Sequence, residues 1–186
     1  MDMPSPDPMI LGRKPAIVAA LREVLPADAV IDAPEETRAY ECDALSAYAC
    51  QPLAVVLPRT TAEVAAALKV CHQMGVPVVP RGSGTSLSGG ALPTADSVVL
   101  GIGRMTAVLE VDYDNRFIRV EAGRTNLAVT GAVESDGFFY APDPALINAS
   151  GVNFINVAIG SGHRELPASD LSTENWFFSV RDYNVF

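Results

Sequence analysis

The sequence predicts an α+β fold: a small parallel strand–helix–strand unit, then an antiparallel meander-like subdomain. Three observations carry this. Leu53-Ala54-Val55-Val56-Leu57 is an unbroken apolar run, too short for a helix and rich in valine, as in a strand covered on both faces. A well-marked helix and a second run, Val76-Pro77-Val78-Val79, follow it directly, and strands that close together favour a parallel crossover unit. After residue 95 the texture changes to short strand candidates separated by turn residues.

Taken in order, Pro15 opens a first short helix whose Ile17, Ala20, Leu21 and Val24 recur at helical spacing, and Pro26 closes it. Residues 33–51 carry acids, Tyr40 and Tyr48 without a clear period and read as a surface connection. The strand at 53–57 ends at Pro58. Thr60 with Glu63 three residues on is a capping-box pattern, Val64, Ala67, Leu68 and Cys71 form one helical face, and Gly75 supplies the left-handed stop. Residues 76–79 read as a second buried strand. Residues 97–100, 107–111 and 117–121 are the later strand candidates, the last two joined by Asp112-Tyr113-Asp114-Asn115. Thr125 caps a helix reaching about Asp136, with Leu127, Ala128, Gly131 and Ala132 as its inner face and Gly137 as its stop.

The 186 residues supply about one ordinary domain, and 49% hydrophobic against 19% charged residues excludes wholesale disorder. Thirteen Lys and Arg against 22 Asp and Glu give a net charge of −9, which argues against nucleic acid or an anionic lipid surface as partner. No stretch reaches the roughly 18 apolar residues of a spanning helix, and the start lacks a signal-peptide pattern, so direct membrane insertion is not expected and the expected location is cytoplasmic. Cys42, Cys50 and Cys71 have no paired spacing and are expected as buried free thiols. With only His72 and His163 besides, no metal site is expected.

The segment with chemistry in it is Pro80-Arg81-Gly82-Ser83-Gly84-Thr85-Ser86-Leu87-Ser88-Gly89-Gly90, directly after the second predicted strand. Glycines at 82 and 84 let successive N–H groups turn into one concavity, and Ser83, Thr85 and Ser86 add hydroxyl donors, a set suited to a diphosphate. An acidic protein can hold an anion this way because oriented peptide dipoles act locally. Arg81 either faces the phosphates or is solvated. The spacing fits neither a Walker A loop, nor a Rossmann fingerprint, nor a nucleophile elbow, so the loop alone leaves a nucleotide-phosphate module and a plain polar loop both open.

Four ordered motifs narrow the choice: Tyr40-Glu41-Cys42-Asp43-Ala44-Leu45-Ser46-Ala47-Tyr48, residues 53–64, residues 80–90, and Val120-Glu121-Ala122-Gly123 through Gly137-Phe138-Phe139-Tyr140-Ala141-Pro142-Asp143-Pro144. With them the chain resembles the FAD-linked oxidases of the vanillyl-alcohol oxidase type, which include the flavin subunit of bacterial glycolate oxidase and the D-lactate and other D-2-hydroxyacid dehydrogenases. The resemblance runs from about residue 12 to residue 144 and covers the N-terminal part of the family pattern. It implies an FAD-binding domain at 1–144, with the antiparallel subdomain incomplete. It also implies that Gly82, Ser83, Gly84, Thr85, Ser86 and Gly89 cradle the FAD pyrophosphate. Arg81 and Gly90 at the loop's ends count with them as candidate contacts, and Pro142 and Asp143 match the segment leading toward the adenine and ring.

Residues 145–186 depart from the pattern, and their composition shifts from Gly, Ala, Arg and Pro toward Phe, Ile and Asn. They are expected to be a divergent tail or the mark of a truncation or frameshift. The family's substrate-holding residues have no counterpart here, so the catalytic residues stay unassigned. By resemblance the whole enzyme passes hydride from the α-carbon of a small 2-hydroxy acid to flavin N5. Electrons then leave through iron-sulfur and second flavin-type subunits, which would also supply any membrane association. The alternative is a catalytically incompetent fragment or a non-catalytic FAD-binding module, and the chain by itself is expected to be inactive.

Overall fold

The computed structural model describes residues 3–140. Pro142, Asp143, His163 and the tail at 145–186 lie outside the described residues. The chain divides into two compact units, one ending at Arg104 and the other starting at Met105.

The first unit is built on a four-stranded sheet. Its strands are β1 (Val30–Ile31), β2 (Ala54–Val56), β3 (Val78–Arg81) and β4 (Val98–Gly101), and their spatial order is β1-β2-β4-β3. β2 and β3 each pair parallel with β4, Ala54 and Val78 both standing opposite Val98, while β1 pairs antiparallel with β2. The expected parallel unit therefore forms, with one correction: β4, assigned from sequence to the later subdomain, lies between its two strands. Val98, Val99 and Leu100 are at most 1% exposed, because a central strand with both faces covered needs a continuous apolar run. β3, expected to be buried, is instead the sheet's edge and half-exposed, which accommodates the missing N–H of Pro80.

The helix α4 (Thr61–Met74) joins β2 to β3 and buries Val64, Ala67, Val70 and Cys71; Leu68, expected on that face, is half-buried. The Thr60 hydroxyl accepts from Glu63 N–H at 3.2 Å, and the Glu63 carboxylate reaches back one residue beyond the usual capping box, to Arg59 N–H at 2.7 Å. Gly75 closes the helix at φ +65°. Preceding the sheet, α1 (Pro8–Leu11) is capped by Asp7, and α2 (Lys14–Val24) buries Ile17, Val18 and Leu21. Val24 is exposed, so the inner face of α2 is shifted toward Val18 relative to expectation. The connection at 33–51 is more ordered than expected: it holds α3 (Pro34–Thr37), a 3-10 turn at Arg38–Tyr40, and two buried polar residues, Thr37 and Asp43.

The second unit begins at Met105, later than the change in texture near residue 95 suggests. β5 (Val108–Asp112) and β6 (Phe117–Val120) pair antiparallel, with a bulge between Val108 and Glu110. Asp112 Oδ1 accepts from Asn115 N–H at 2.9 Å and closes the turn that the sequence placed there. α5 (Asn126–Gly131) is capped by the Thr125 hydroxyl, which accepts from Ala128 N–H. It stops five residues short of the predicted end, and a separate 3-10 turn, Glu134–Asp136, leads to Gly137 at φ +81°. Its inner face is Asn126 and Val129, not the predicted small residues; Leu127 is 80% exposed. Val120 and Val129 form this unit's small core, packed by Val108, Ile118 and Tyr140.

Candidate functional site

The glycine-serine loop leaves the end of β3 in the first unit. Its start is fixed by the sheet: Arg81 stands opposite Gly101, and Ile102 N–H donates to the Arg81 carbonyl at 3.0 Å. Beyond Arg81, the backbone N–H groups from Gly82 to Leu87, those of Ser83, Gly84, Thr85 and Ser86 among them, have no acceptor among the described residues. Ser83 and Thr85 are exposed, and Gly84 and Ser86 are half-buried. A run of consecutive unsatisfied donors on the surface is the chemistry that holds a phosphate. Gly84 at φ +73° and Gly89 at φ +77° supply the left-handed turns, whereas Gly82, predicted to turn with Gly84, does not have a positive φ.

The far half of the loop is self-bonded. Ser86 Oγ accepts from Gly90 N–H at 2.9 Å and Ser88 N–H at 3.3 Å, and Leu92 N–H donates to the Gly89 carbonyl at 3.2 Å. Of the predicted contacts, Gly82, Ser83, Gly84, Thr85 and Ser86 thus present free amides. Gly89 and Gly90 shape the loop, the latter bonded to Ser86.

Arg81 is half-buried. Its guanidinium lies against Gly84, so close that a Cβ built there would meet Nη2 at 2.1 Å and Cζ at 2.4 Å. Nη1 donates to the carbonyls of Cys42 at 2.7 Å and Ala91 at 3.4 Å, and the group stacks over Tyr40, 5.6 Å from the ring centroid. Asp43, buried to 5% exposure, accepts from Leu45 N–H at 2.9 Å and from Ala91 N–H at 3.3 Å. Sequence reasoning had Tyr40, Cys42 and Asp43 inside a motif but gave them no role.

The three cysteines are free; Cys71 is buried as expected, while Cys42 and Cys50 are half-buried. Burial pushes the Cys71 thiol up to about 11, and burial first, then the nearby Asp96 charge, raises that of Cys50. Burial thus disfavours the reactive thiolate at both positions, most at Cys71. Among the described residues no group of three or more His, Cys, Asp or Glu could hold a metal, and no helix is long and apolar enough to cross a membrane. Elsewhere on the surface, Asp28 bridges Arg59 at 2.6 Å and Arg104 at 3.1 Å, and the Arg59 hydrogen bond holds its carboxyl below the usual range.

A sheet-end loop with open amides, flanked by the half-buried Arg81 and the buried Asp43, is a candidate phosphate site, and the comparisons show the family of the chain that carries it. The family described as FAD binding domain matches residues 52–169, well over half of the chain, and the chain belongs to it; FAD is the cofactor this domain takes. The open Ser83–Ser86 amides fit that cofactor's diphosphate. Among curated relatives, the glycolate oxidase subunit GlcD of Escherichia coli (strain K12) is 46% identical over 130 residues, covering 70% of this chain and 26% of the relative. A D-lactate dehydrogenase of Archaeoglobus fulgidus is 40% identical over 102 residues, covering 55% of this chain and 23% of its own. The chain thus spans about a quarter of the length of the relatives it matches. Among solved structures, p-cresol methylhydroxylase with substrate bound matches at TM-score 0.61 and 22% identity, over 68% of this chain and 25% of that one. Alkyldihydroxyacetonephosphate synthase matches at TM-score 0.68 and 19% identity, over 88% and 31%. These confirm the α+β FAD-binding fold.

Proposed function

We propose that this chain supplies the pyrophosphate-binding part of the flavin site in an oxidoreductase of small 2-hydroxy acids such as glycolate or D-lactate. The observation that carries the reading is the run of open amides at Ser83–Ser86 on the end of β3, in a chain whose relatives are a glycolate oxidase subunit and D-lactate dehydrogenases. Bound FAD would accept hydride at N5 from the α-carbon of the acid. This chain's residues do the holding: the four amides grip the diphosphate, Gly84 lets the backbone come close, and the Ser83, Thr85 and Ser86 hydroxyls are further donors. Pro142 and Asp143 are proposed contacts further along the cofactor, by resemblance alone. Electrons would leave through partner subunits bearing iron-sulfur clusters and a second flavin, and the complex would be cytoplasmic, joined to a membrane only through those partners.

A chimera tests the redox half of this reading. Residues 12–140 replace the matching N-terminal segment of the Escherichia coli glycolate oxidase flavin subunit, and glycolate-dependent dye reduction is measured in the assembled complex. Turnover above the level of a subunit lacking the segment is expected. A chimera that retains FAD and oxidises neither glycolate nor D-lactate would overturn it.

One observation favours a second reading, an FAD-binding module without turnover of its own: the matched part of the chain equals 26% of the glycolate oxidase subunit. The 186-residue chain alone is accordingly expected to reduce no acceptor with glycolate or D-lactate, because a substrate misplaced by about 1 Å already costs roughly a hundredfold. Robust turnover with a flavin spectrum that survives gel filtration would refute this.

A further inference from the structure

The open amides of the loop do not hold their own geometry. Consecutive donors without internal partners repel one another electrostatically and would rather turn outward to water. What keeps them in place must come from outside the loop. The structure places one segment, residues 40–45, behind the loop at three points. At Gly84 the Arg81 guanidinium is wedged between the loop and this segment, bonded to the Cys42 carbonyl and stacked on Tyr40. At Gly89 the side chain of Leu45 lies alongside: a Cβ built there would stand in ordinary contact with its Cδ2, 3.8 Å away. At Ala91, where the loop ends, the buried Asp43 carboxylate takes the backbone N–H, while its other oxygen takes Leu45 N–H.

We infer that residues 40–45 form a strap that preorganises the phosphate loop, with Asp43 and Arg81 as its positioning residues. Both act through the loop rather than on the cofactor. Arg81 in particular contributes to diphosphate binding by fixing Gly84 rather than by offering its own charge. The inference rests on the loop being the diphosphate site and adds what sets its affinity. Binding of a ligand to a loop already in its bound conformation avoids the ordering cost that a free loop would incur, so loosening the strap weakens FAD binding without touching any FAD contact. Asp43 suits the task because a carboxylate offers two acceptors to two backbone donors 46 residues apart in the chain, Leu45 and Ala91. Arg81 suits it because a planar fork can lie flat under a glycine and still donate along its edge, which a lysine ammonium cannot do.

The test uses the full 186-residue chain and two readouts. The first is FAD affinity, measured by quenching of flavin fluorescence, for Asp43→Ala, Asp43→Asn, Arg81→Lys and, as the control for the loop itself, Gly84→Val. Asp43→Ala and Arg81→Lys should each weaken FAD binding on the order of ten- to a hundredfold. Asp43→Asn, which keeps one acceptor oxygen, should fall between Asp43→Ala and wild type. The second readout needs no flavin: amide hydrogen exchange at Ser88 and Gly90, whose acceptor is Ser86 Oγ and which neither Asp43 nor Arg81 touches. Their exchange should quicken about tenfold or more in Asp43→Ala and Arg81→Lys, while amides of β2 and α4 keep wild-type rates. A merely structural role would instead quicken the sheet and α4 as well. Loss of FAD binding in Gly84→Val with wild-type affinity and wild-type Ser88 and Gly90 exchange in the Asp43 and Arg81 variants would overturn the strap and leave the loop assignment standing. Wild-type affinity in Gly84→Val would instead remove the loop assignment. A variant that fails to fold is replaced by Tyr40→Leu, which removes only the stacking surface under Arg81 and should give a smaller shift of both readouts in the same direction.

Discussion

Replacing Gly84 by valine puts the largest strain on the candidate site for the smallest change elsewhere. Gly84 sits at φ +73°, where a side chain with a Cβ costs about 1–2 kcal/mol. The new Cβ would also stand 2.1 Å from Arg81 Nη2, 2.4 Å from Cζ and 2.9 Å from Nε, so the guanidinium, the far end of a flexible side chain, has to shift. A shift that gives up its 2.7 Å bond to the Cys42 carbonyl and its weaker one to Ala91 adds to this, a hydrogen bond to a charged group contributing about 1.5–3 kcal/mol, less here because Arg81 is half-solvated. Together these give about 2–4 kcal/mol against the loop's present conformation, or roughly 30- to 1000-fold in FAD dissociation constant. Equilibrium titration by flavin fluorescence reads the affinity, and far-ultraviolet circular dichroism checks that the sheet is intact. A folded Gly84→Val chain that binds FAD as tightly as wild type would refute the reasoning.

Three further outcomes are expected. Thr60→Ala removes the acceptor for Glu63 N–H at the start of α4 and should cost about 1 kcal/mol, seen as a melting temperature lower by about 2–4 °C; no change would mean that the Glu63 carboxylate alone caps the helix. Leu100→Ala empties a 1% exposed position on the central strand and should lower unfolding free energy by about 2–5 kcal/mol in urea titration, whereas a loss below 1 kcal/mol would argue against β4 at the sheet's centre. Cys71 should resist iodoacetamide at pH 8 in the folded chain, while Cys42 and Cys50 react more readily. Its folded-state value of about 11 stands above the ordinary 9.0, so its contribution to stability is complete below pH 9 and is lost as pH rises through 11; the unfolding midpoint of Cys71→Ala should fall less over that window than that of wild type.

Local signals carried much of this fold. The Thr60–Gly75 helix, the strand before it and the Asp112–Asn115 turn are fixed by caps, breakers and apolar runs a few residues long and appear where the sequence places them, while the strand after the helix lies two residues later, at Val78–Arg81 instead of 76–79. What escaped is non-local. That β4 inserts between β2 and β3 depends on which apolar runs pair, and Val98-Val99-Leu100 carried the same continuous texture as β2 without stating its partner. α5 ends earlier than its spacing predicts because burial there falls on Asn126, Val129 and Val133 and not on Gly131 and Ala132. The loop was legible as a candidate phosphate site because glycines and hydroxyl residues at a strand end supply open amides and hydroxyl donors together. Its supports were not: Asp43 and Arg81 matter through partners 48 and 39 residues away, which no spacing rule reaches.

The central claim, that the amides of Ser83–Ser86 hold the diphosphate of FAD, is tested most directly by amide chemical shifts of the nitrogen-15-labelled chain titrated separately with FAD, ADP and riboflavin. FAD and ADP should both move the Ser83, Gly84, Thr85 and Ser86 signals most, and riboflavin, which has no phosphate, should leave them in place. Loop signals that stay still while FAD shifts amides elsewhere, or that respond equally to riboflavin, would contradict it.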